Sequence, residues 1–268
     1  MWTKVWHELK AYAEGIVEFL FPRYCVACGE QLSYHQHHLC TSCLMHLPRT
    51  MFHTVPHSYM ETLFWGKVVV ERAVSFFYYN DIYREIFIQL KYKDNPDIGQ
   101  YIANQYAKEI IDSGFFTGID LIIPLPLHPR RKRHRGYNQS EFIGRGIHEV
   151  TGIPICCNAV ERAVNNVSQT RLDHRGRRRN VEGIFSLVRP QLIEGKHVLL
   201  VDDVTTTGST LASCIGELLK AQNTKVSVLT IAMAAQTRVL TVDDNNPLMP
   251  SIPIDVEALS KLQIIPLS

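Results

Sequence analysis

Residues Val198–Thr210 read VLLVDDVTTTGST, and the fold of the chain turns on them. Four apolar residues run into paired aspartates, and these into threonine, glycine and serine. A central parallel strand is covered on both faces, so it reads as an unbroken Val/Leu run rather than an alternation. Asp202 and Asp203 then fall at its carboxyl end, the edge where open α/β sheets bind ligands. Thr205, Thr206, Thr207, Gly208 and Ser209 form a small, hydroxyl-bearing loop, and the helix-like LASCIGELLK follows. A loop of this kind at a helix N-terminus cradles phosphate, because N–H groups and hydroxyls point at the anion and the helix dipole favours it. Carboxylates beside an anion site conflict unless something lies between them. A sugar phosphate resolves the conflict, with its phosphate in the loop and its ring hydroxyls donating to the aspartates. A Walker loop is excluded, since Gly195-Lys196 precedes the strand and is followed by His197.

The chain has 268 residues, 46% of them hydrophobic, which suits one large or two unequal domains with a sizeable core. The formal net charge of +2 says little about partners, but two short segments are densely basic. No apolar run approaches the roughly 20 residues of a membrane span, and stable membrane insertion is not expected. Residues 2–20 repeat apolar side chains at three- and four-residue spacing, from Trp2, Val5 and Trp6 to Val17 and Leu20, which predicts an amphipathic helix ended by Pro22. The stretch lacks the compact apolar region and cleavage site of a signal peptide.

Cys25, Cys28, Cys40 and Cys43 make two C-x2-C pairs eleven residues apart. Two residues between thiols let one tight turn aim both at one ion, and two such knuckles complete a tetrahedral thiolate cage for structural Zn²⁺. Two disulfides or an iron–sulfur cluster are the competing uses. Four of the seven cysteines in a metal pattern point to a reducing cytoplasm.

Farther on, residues 52–70 read as connector. Val68–Tyr79 reads as one or two strands, Ile82–Leu90 and Tyr101–Ile111 as helices, and Asp120–Leu125 as a short strand. The segment LPLHPRRKRHRGYNQSEF carries Arg130, Arg131, Lys132, Arg133 and Arg135, with Pro124, Pro126 and Pro129 expected to hold it extended. A helix is expected from Asn138 to about Val150. Ile155–Arg162 reads as another strand, with Cys156 and Cys157 as buried small hydrophobes. Arg171, Arg175, Arg177, Arg178 and Arg179 fall in a nearly apolar-free stretch that reads as an exposed loop. A helix over Leu211–Ala221 and a strand over Lys225–Ala232 follow.

The strand–loop motif resembles that of the type I phosphoribosyltransferases, which bind phosphoribosyl pyrophosphate (PRPP). Taken in order, the cysteine knuckles, LKYK at 90–93, PLPLHPRRKRHRGYNQS, QTRLDHRGRRRN and LLVDDVTTTGSTL resemble the ComF family across nearly the whole chain up to about residue 235. The resemblance implies an α/β type I phosphoribosyltransferase fold, a central parallel sheet flanked by helices, with a small N-terminal four-cysteine zinc ribbon. The expected division is a helix over 1–21, the ribbon over 22–51, a phosphoribosyltransferase-like domain over 52–235 including an acceptor-reading hood at roughly 52–92, and a poorly ordered tail over 236–268.

Residue roles follow from the same resemblance. Asp202 and Asp203 would hold the ribose hydroxyls, and Thr205, Thr206, Thr207, Gly208 and Ser209 the 5′-phosphate. Pro124, Leu125, Pro126 and Leu127 would form the pyrophosphate loop, with Mg²⁺ on the pyrophosphate. Arg171 and Arg175 would lie on the flexible catalytic loop. Two readings of function stand side by side. One is PRPP or sugar-phosphate binding with phosphoribosyl transfer, in a protein associated with DNA uptake during natural competence. The other is a non-catalytic single-stranded-DNA-binding or adaptor module; Arg130, Arg131, Lys132, Arg133, Arg135, Arg177, Arg178 and Arg179 would contact pyrophosphate in the first reading and track the phosphate backbone in the second. A competence helicase-like partner and a homodimer are further expectations.

Overall fold

A parallel four-stranded sheet carries the site. The computed structural model describes residues 22–162 and 184–234. The expected helix over 2–20, the residues Arg171, Arg175, Arg177, Arg178 and Arg179, and the tail from 236 lie outside the described residues. The sheet is built from β1 (Ala73–Tyr78), β2 (Leu121–Pro124), β5 (His197–Thr205) and β6 (Lys225–Met233), in the order β1-β6-β5-β2. A shorter antiparallel pair, β3 (Val160–Arg162) and β4 (Phe185–Leu187), stands apart from it. The apolar run of the opening motif explains the central place of β5. Val198 to Val201 are each 0% exposed, with β2 on one side (Leu121↔Val198 to Pro124↔Val201) and β6 on the other (His197↔Lys225 to Thr205↔Met233).

The described helices are α1 (Thr41–Met45), α2 (Tyr59–Thr62), α3 (Arg84–Tyr92), α4 (Asp97–Ile110), α5 (Pro129–Arg135), α6 (Gln139–Thr151) and α7 (Ser209–Leu218), of which α2, α4, α6 and α7 pack on the sheet. The closest helix crossing is between α4 and α6, at Gly146. A Cβ there would lie 2.1 Å from the Gln100 carbonyl oxygen, so only glycine lets the backbones approach this far. Glu149 accepts hydrogen bonds from the amides of Gln100 and Asn104 across the same interface.

The cysteine segment shares one apolar core with the rest of the chain. Cys25, Leu32, Leu39, Cys40 and Leu47 belong to the cluster that holds Phe76, Phe77 and Phe87. The chain leaving this segment caps the open edge of β1: Tyr78 N–H donates to the Pro48 carbonyl at 2.8 Å, and Arg49 bridges Phe77. Covering a sheet edge in this way blocks pairing with another chain.

Several expectations narrow. The strand expected over 68–79 begins at Ala73, because backbone pairing with β6 starts only at Glu71, whose N–H reaches Val226 O. Val69, ahead of that point, is 73% exposed. The expected strand Ile155–Arg162 divides: Ile155 makes one parallel bridge to Ile122, and only β3 is a paired strand. Cys156 is buried as expected, but Cys157 is exposed. The stretch 52–92 supplies β1 and α3 to the core.

The basic segment is not extended but helical. Pro129 sits at the first turn of α5, where its missing N–H costs nothing, and His128 Nδ1 accepts from Arg130 N–H as the cap. Gly136, with φ of 82°, ends the helix. The prolines therefore start a helix where composition suggested they would prevent one.

Candidate functional site

The carboxyl end of β5 opens into a cleft of about 520 Å³. Asp202, Asp203, Val204 and the loop Thr205–Thr207 form its floor, running into Gly208, Ser209 and the first turn of α7. Leu125, Pro126 and Leu127, which follow β2, line one side, whereas Pro124 is the last residue of the strand and does not line the cleft. Lys91 and Tyr92 from the end of α3, Arg131 and Arg135 from α5, and Gln139 and Arg162 complete the walls.

The loop geometry suits an anion. Gly208 has φ of 70° and precedes α7, and its Cα packs so closely that a Cβ would lie 3.2 Å from Leu63 Cβ. The Thr207 and Ser209 hydroxyls are 2.9 Å apart, and Ser209 N–H donates to Thr207 Oγ1 at 3.4 Å. Lys67 Nζ donates to the Thr207 carbonyl at 3.2 Å, which turns that oxygen to the outside of the loop. The first N–H groups of α7 have no intrahelical acceptor, and they face the same cradle.

The two aspartates meet different partners. Asp202 Oδ1 accepts from Ser140 Oγ at 3.0 Å, a residue brought there by the start of α6, where Asn138 caps the helix. Asp203 is 4% exposed; its Oδ1 accepts from Val204 N–H. Lys91 Nζ lies 3.1 Å from Asp203 Oδ2, close enough for charge pairing. The approach is off the angle of a hydrogen bond, and Oδ2 is left buried without a donor. Burial pushes the Asp202 carboxyl up to about 7, helped by the Asp203 charge beside it, and a hydrogen bond from the Asp203 N–H, the Lys91 charge and the Ser140 hydrogen bond oppose the rise. An orphaned buried acceptor next to a carboxylate that resists ionisation is an arrangement that ligand hydroxyls would complete.

The basic residues separate by position. Arg131 and Arg135 line the cleft, and the Arg135 guanidinium stacks 5.5 Å from the Tyr92 ring centroid. Arg130, Lys132 and Arg133 do not line it; Lys132 pairs with Glu141 at 2.9 Å. Lys91, Tyr92, Ser140 and Arg162 were not singled out as site residues from the sequence. Ser140 carried a usable signal, since its place two residues after a capping asparagine puts it in the first turn of a helix aimed at the sheet edge. Lys91 and Tyr92 lie in the LKYK motif of the family resemblance, but only the fold brings the end of α3 to the end of β5.

The four cysteines converge on one another beside the start of α3, where Tyr83 Oη donates to the Cys43 carbonyl. Their Sγ atoms all lie within 4.8 Å of one another, and none is in a disulfide. Cys28 Sγ and Cys40 Sγ are 3.8 Å apart. The edge of a tetrahedron with metal–sulfur bonds of about 2.3 Å is ~3.8 Å, so the cage has the dimensions of a four-thiolate metal site. Cys40 N–H donates to Cys25 Sγ at 3.3 Å and Cys43 N–H to Cys40 Sγ at 3.4 Å, bonds that stabilise thiolates. The cluster could hold a metal ion.

The chain is similar to several known proteins. A family model described as a phosphoribosyl transferase domain matches residues 159–258. Competence protein F of Haemophilus influenzae is 30% identical over 204 residues, covering 75% of this chain and 79% of that protein. DNA utilization protein YhgH of Salmonella typhi is 31% identical over 153 residues, covering 56% of this chain; the chain spans 66% of that relative's length. A solved adenine phosphoribosyltransferase is similar at 17% identity and a TM-score of 0.36, covering 56% of this chain and 75% of that one.

Proposed function

This chain belongs to the competence protein F (ComF) family and has a phosphoribosyltransferase fold, and we propose that its cleft binds PRPP or a related sugar phosphate. The observation that carries this reading is Asp203 Oδ2, a buried carboxylate oxygen that makes no hydrogen bond and is met only by the Lys91 ammonium, beside a phosphate cradle. The 5′-phosphate sits in the loop from Thr205 to Ser209, and the ribose hydroxyls donate to Asp202 and Asp203. Leu125 to Leu127 flank the pyrophosphate. Arg131, Arg135 and Arg162 balance its charge. Mg²⁺, where bound with the pyrophosphate, would supply charge neutralisation beside the Asp202–Asp203 floor. Where transfer follows, the acceptor forms a bond to the anomeric carbon as the carbon–oxygen bond breaks and pyrophosphate leaves with the electron pair. The protein's part is to position and stabilise charge. Arg171 and Arg175 are the proposed catalytic-loop cations. The four cysteines hold a structural Zn²⁺, in agreement with the thiol spacing.

PRPP with Mg²⁺ raises the melting temperature by mass action if the reading holds, and the Asp202→Ala, Asp203→Ala double variant abolishes the rise. No shift at millimolar PRPP would remove the sugar-phosphate site.

A second reading has its own observation: α5 presents Arg130 and Arg133 away from the cleft, with Arg131 and Arg135 on its inner side. A single strand of DNA tracking this helix would deliver a strand end to the cradle, which suits the DNA-uptake role suggested by the names of the competence relatives. Such binding weakens steeply with salt, and charge reversal at Arg177, Arg178 and Arg179 flattens the slope. Absence of DNA retention at low salt would remove this reading.

A further inference from the structure

The last turn of α3 brings a buried cation to the acidic pair. Lys91 is 17% exposed and its ammonium lies 6.0 Å from the Phe87 ring centroid as well as 3.1 Å from Asp203 Oδ2. A lysine withdrawn this far from water is stable only when paired. Its partner is one member of the pair, whereas Asp202 has a neutral partner, the Ser140 hydroxyl. The two adjacent carboxylates therefore stand in unequal fields. The other groups facing them are Tyr92 from α3, Arg131 and Arg135 from α5, Arg162 from β3 and Cys214 from α7. His134 lines the same cleft.

We propose that Lys91 is a positioning residue that holds Asp203 as the anion, so that Asp202 carries the pair's proton in the free protein and releases it when a sugar phosphate binds. The inference rests on the sugar-phosphate reading and adds its proton linkage. With Asp203 ionised, its Oδ2, which meets the Lys91 ammonium but makes no hydrogen bond, accepts one ring hydroxyl directly. Asp202 has one oxygen engaged by Ser140, and its proton blocks the other as an acceptor. A second hydroxyl can donate there only after that proton has left to solvent. The burial that raises the Asp202 carboxyl favours the protonated state before ligand arrives. Affinity is therefore complete above the titration of Asp202 and falls as pH drops through it.

The test measures binding of ribose 5-phosphate, which needs no pyrophosphate or metal, by calorimetry between pH 6 and 8.5. In the wild-type protein affinity falls up to about tenfold per pH unit below a midpoint near neutrality. Lys91→Met removes a favourable charge and moves the midpoint up by about one unit, Lys91→Arg restores it, and His134→Gln leaves it in place. A purely structural lysine would lower stability without moving the midpoint, so an unmoved midpoint in Lys91→Met overturns the proposal. A double-mutant cycle on unfolding between Lys91→Met and Asp203→Asn needs no ligand, and the two changes must be non-additive. If wild type ignores the sugar phosphate at every pH, the sugar-phosphate reading falls; the cycle then decides the Lys91 pairing, and additivity overturns it.

Discussion

Replacing Asp202 by asparagine should stabilise this protein, and by an amount that depends on pH. The side chain lies at the cleft floor with Asp203 beside it, and burial followed by that charge raises its carboxyl from 3.8 to about 7. At ~1.4 kcal/mol per unit the rise corresponds to at most ~4 kcal/mol, and its partial exposure to the cleft reduces this to ~2 kcal/mol. Asparagine keeps the acceptor for Ser140 Oγ, now at 3.0 Å, and removes only the charge. A raised carboxyl favours the fold fully below its unfolded value and loses that contribution as pH rises through the folded one. The penalty on the wild-type protein is thus absent below about pH 4 and complete above about pH 7–8. Thermal unfolding across pH 4 to 8.5 should show the variant ~5 °C higher at the alkaline end, the gap closing toward acid. A gap that is flat with pH, or widest in acid, would refute the reasoning. The same variant should lose the PRPP response, so stability is gained where ligand binding is lost.

Two further outcomes test the scaffold. Gly146→Ala places a Cβ 2.1 Å from Gln100 O, a contact with backbone that no rotamer relieves, and should cost ~3 kcal/mol or more in urea unfolding, whereas Gly114→Ala, open to solvent except for Thr117 Oγ1 at 3.9 Å, meets only the strain of its own φ of 76°. Cys25→Ser should abolish binding of about one zinc per chain and lower the melting temperature of the whole molecule, because Cys25 lies in the common core; elemental analysis and calorimetry check both.

What the sequence made legible was what local chemistry decides. The run from Val198 to Val201 announced a strand buried on both faces, and residues 202–209 announced a ligand-binding end, because each needs particular residue types in consecutive positions. The cysteine spacing was legible for the same reason. The walls of the cleft were not. Lys91 and Asp203 are far apart in sequence, and their pairing depends on β1 and β6 lying side by side so that α3 ends over β5. Gly146 carried no signal in the sequence; its use is the approach of α6 to α4. The basic segment misled because proline was read for what it forbids. Position decided instead, since a cap at His128 and glycine at 136 make Pro129 the opening of a helix.

The charge of the assembled cleft narrows what the two readings of function can share. Lys91, Arg131, Arg135 and Arg162 face two carboxylates, so the walls carry a surplus of positive charge while the floor asks for hydrogen-bond donors. A ligand must then be anionic at its ends and hydroxylic in its middle. Ribose phosphates satisfy this, and a DNA strand end does so only in part, because its sugar lacks the 2′-hydroxyl. If both aspartates accept sugar hydroxyls, ribose 5-phosphate should bind about tenfold or more tighter than 2-deoxyribose 5-phosphate, since the deoxy sugar leaves one buried acceptor unpaired at ~1–3 kcal/mol. Equal affinity would mean that one carboxylate never touches the sugar, and the cleft would then be a phosphate site with an acidic neighbour, suited to a DNA end. Calorimetric titration of the two sugars against the same protein decides between them.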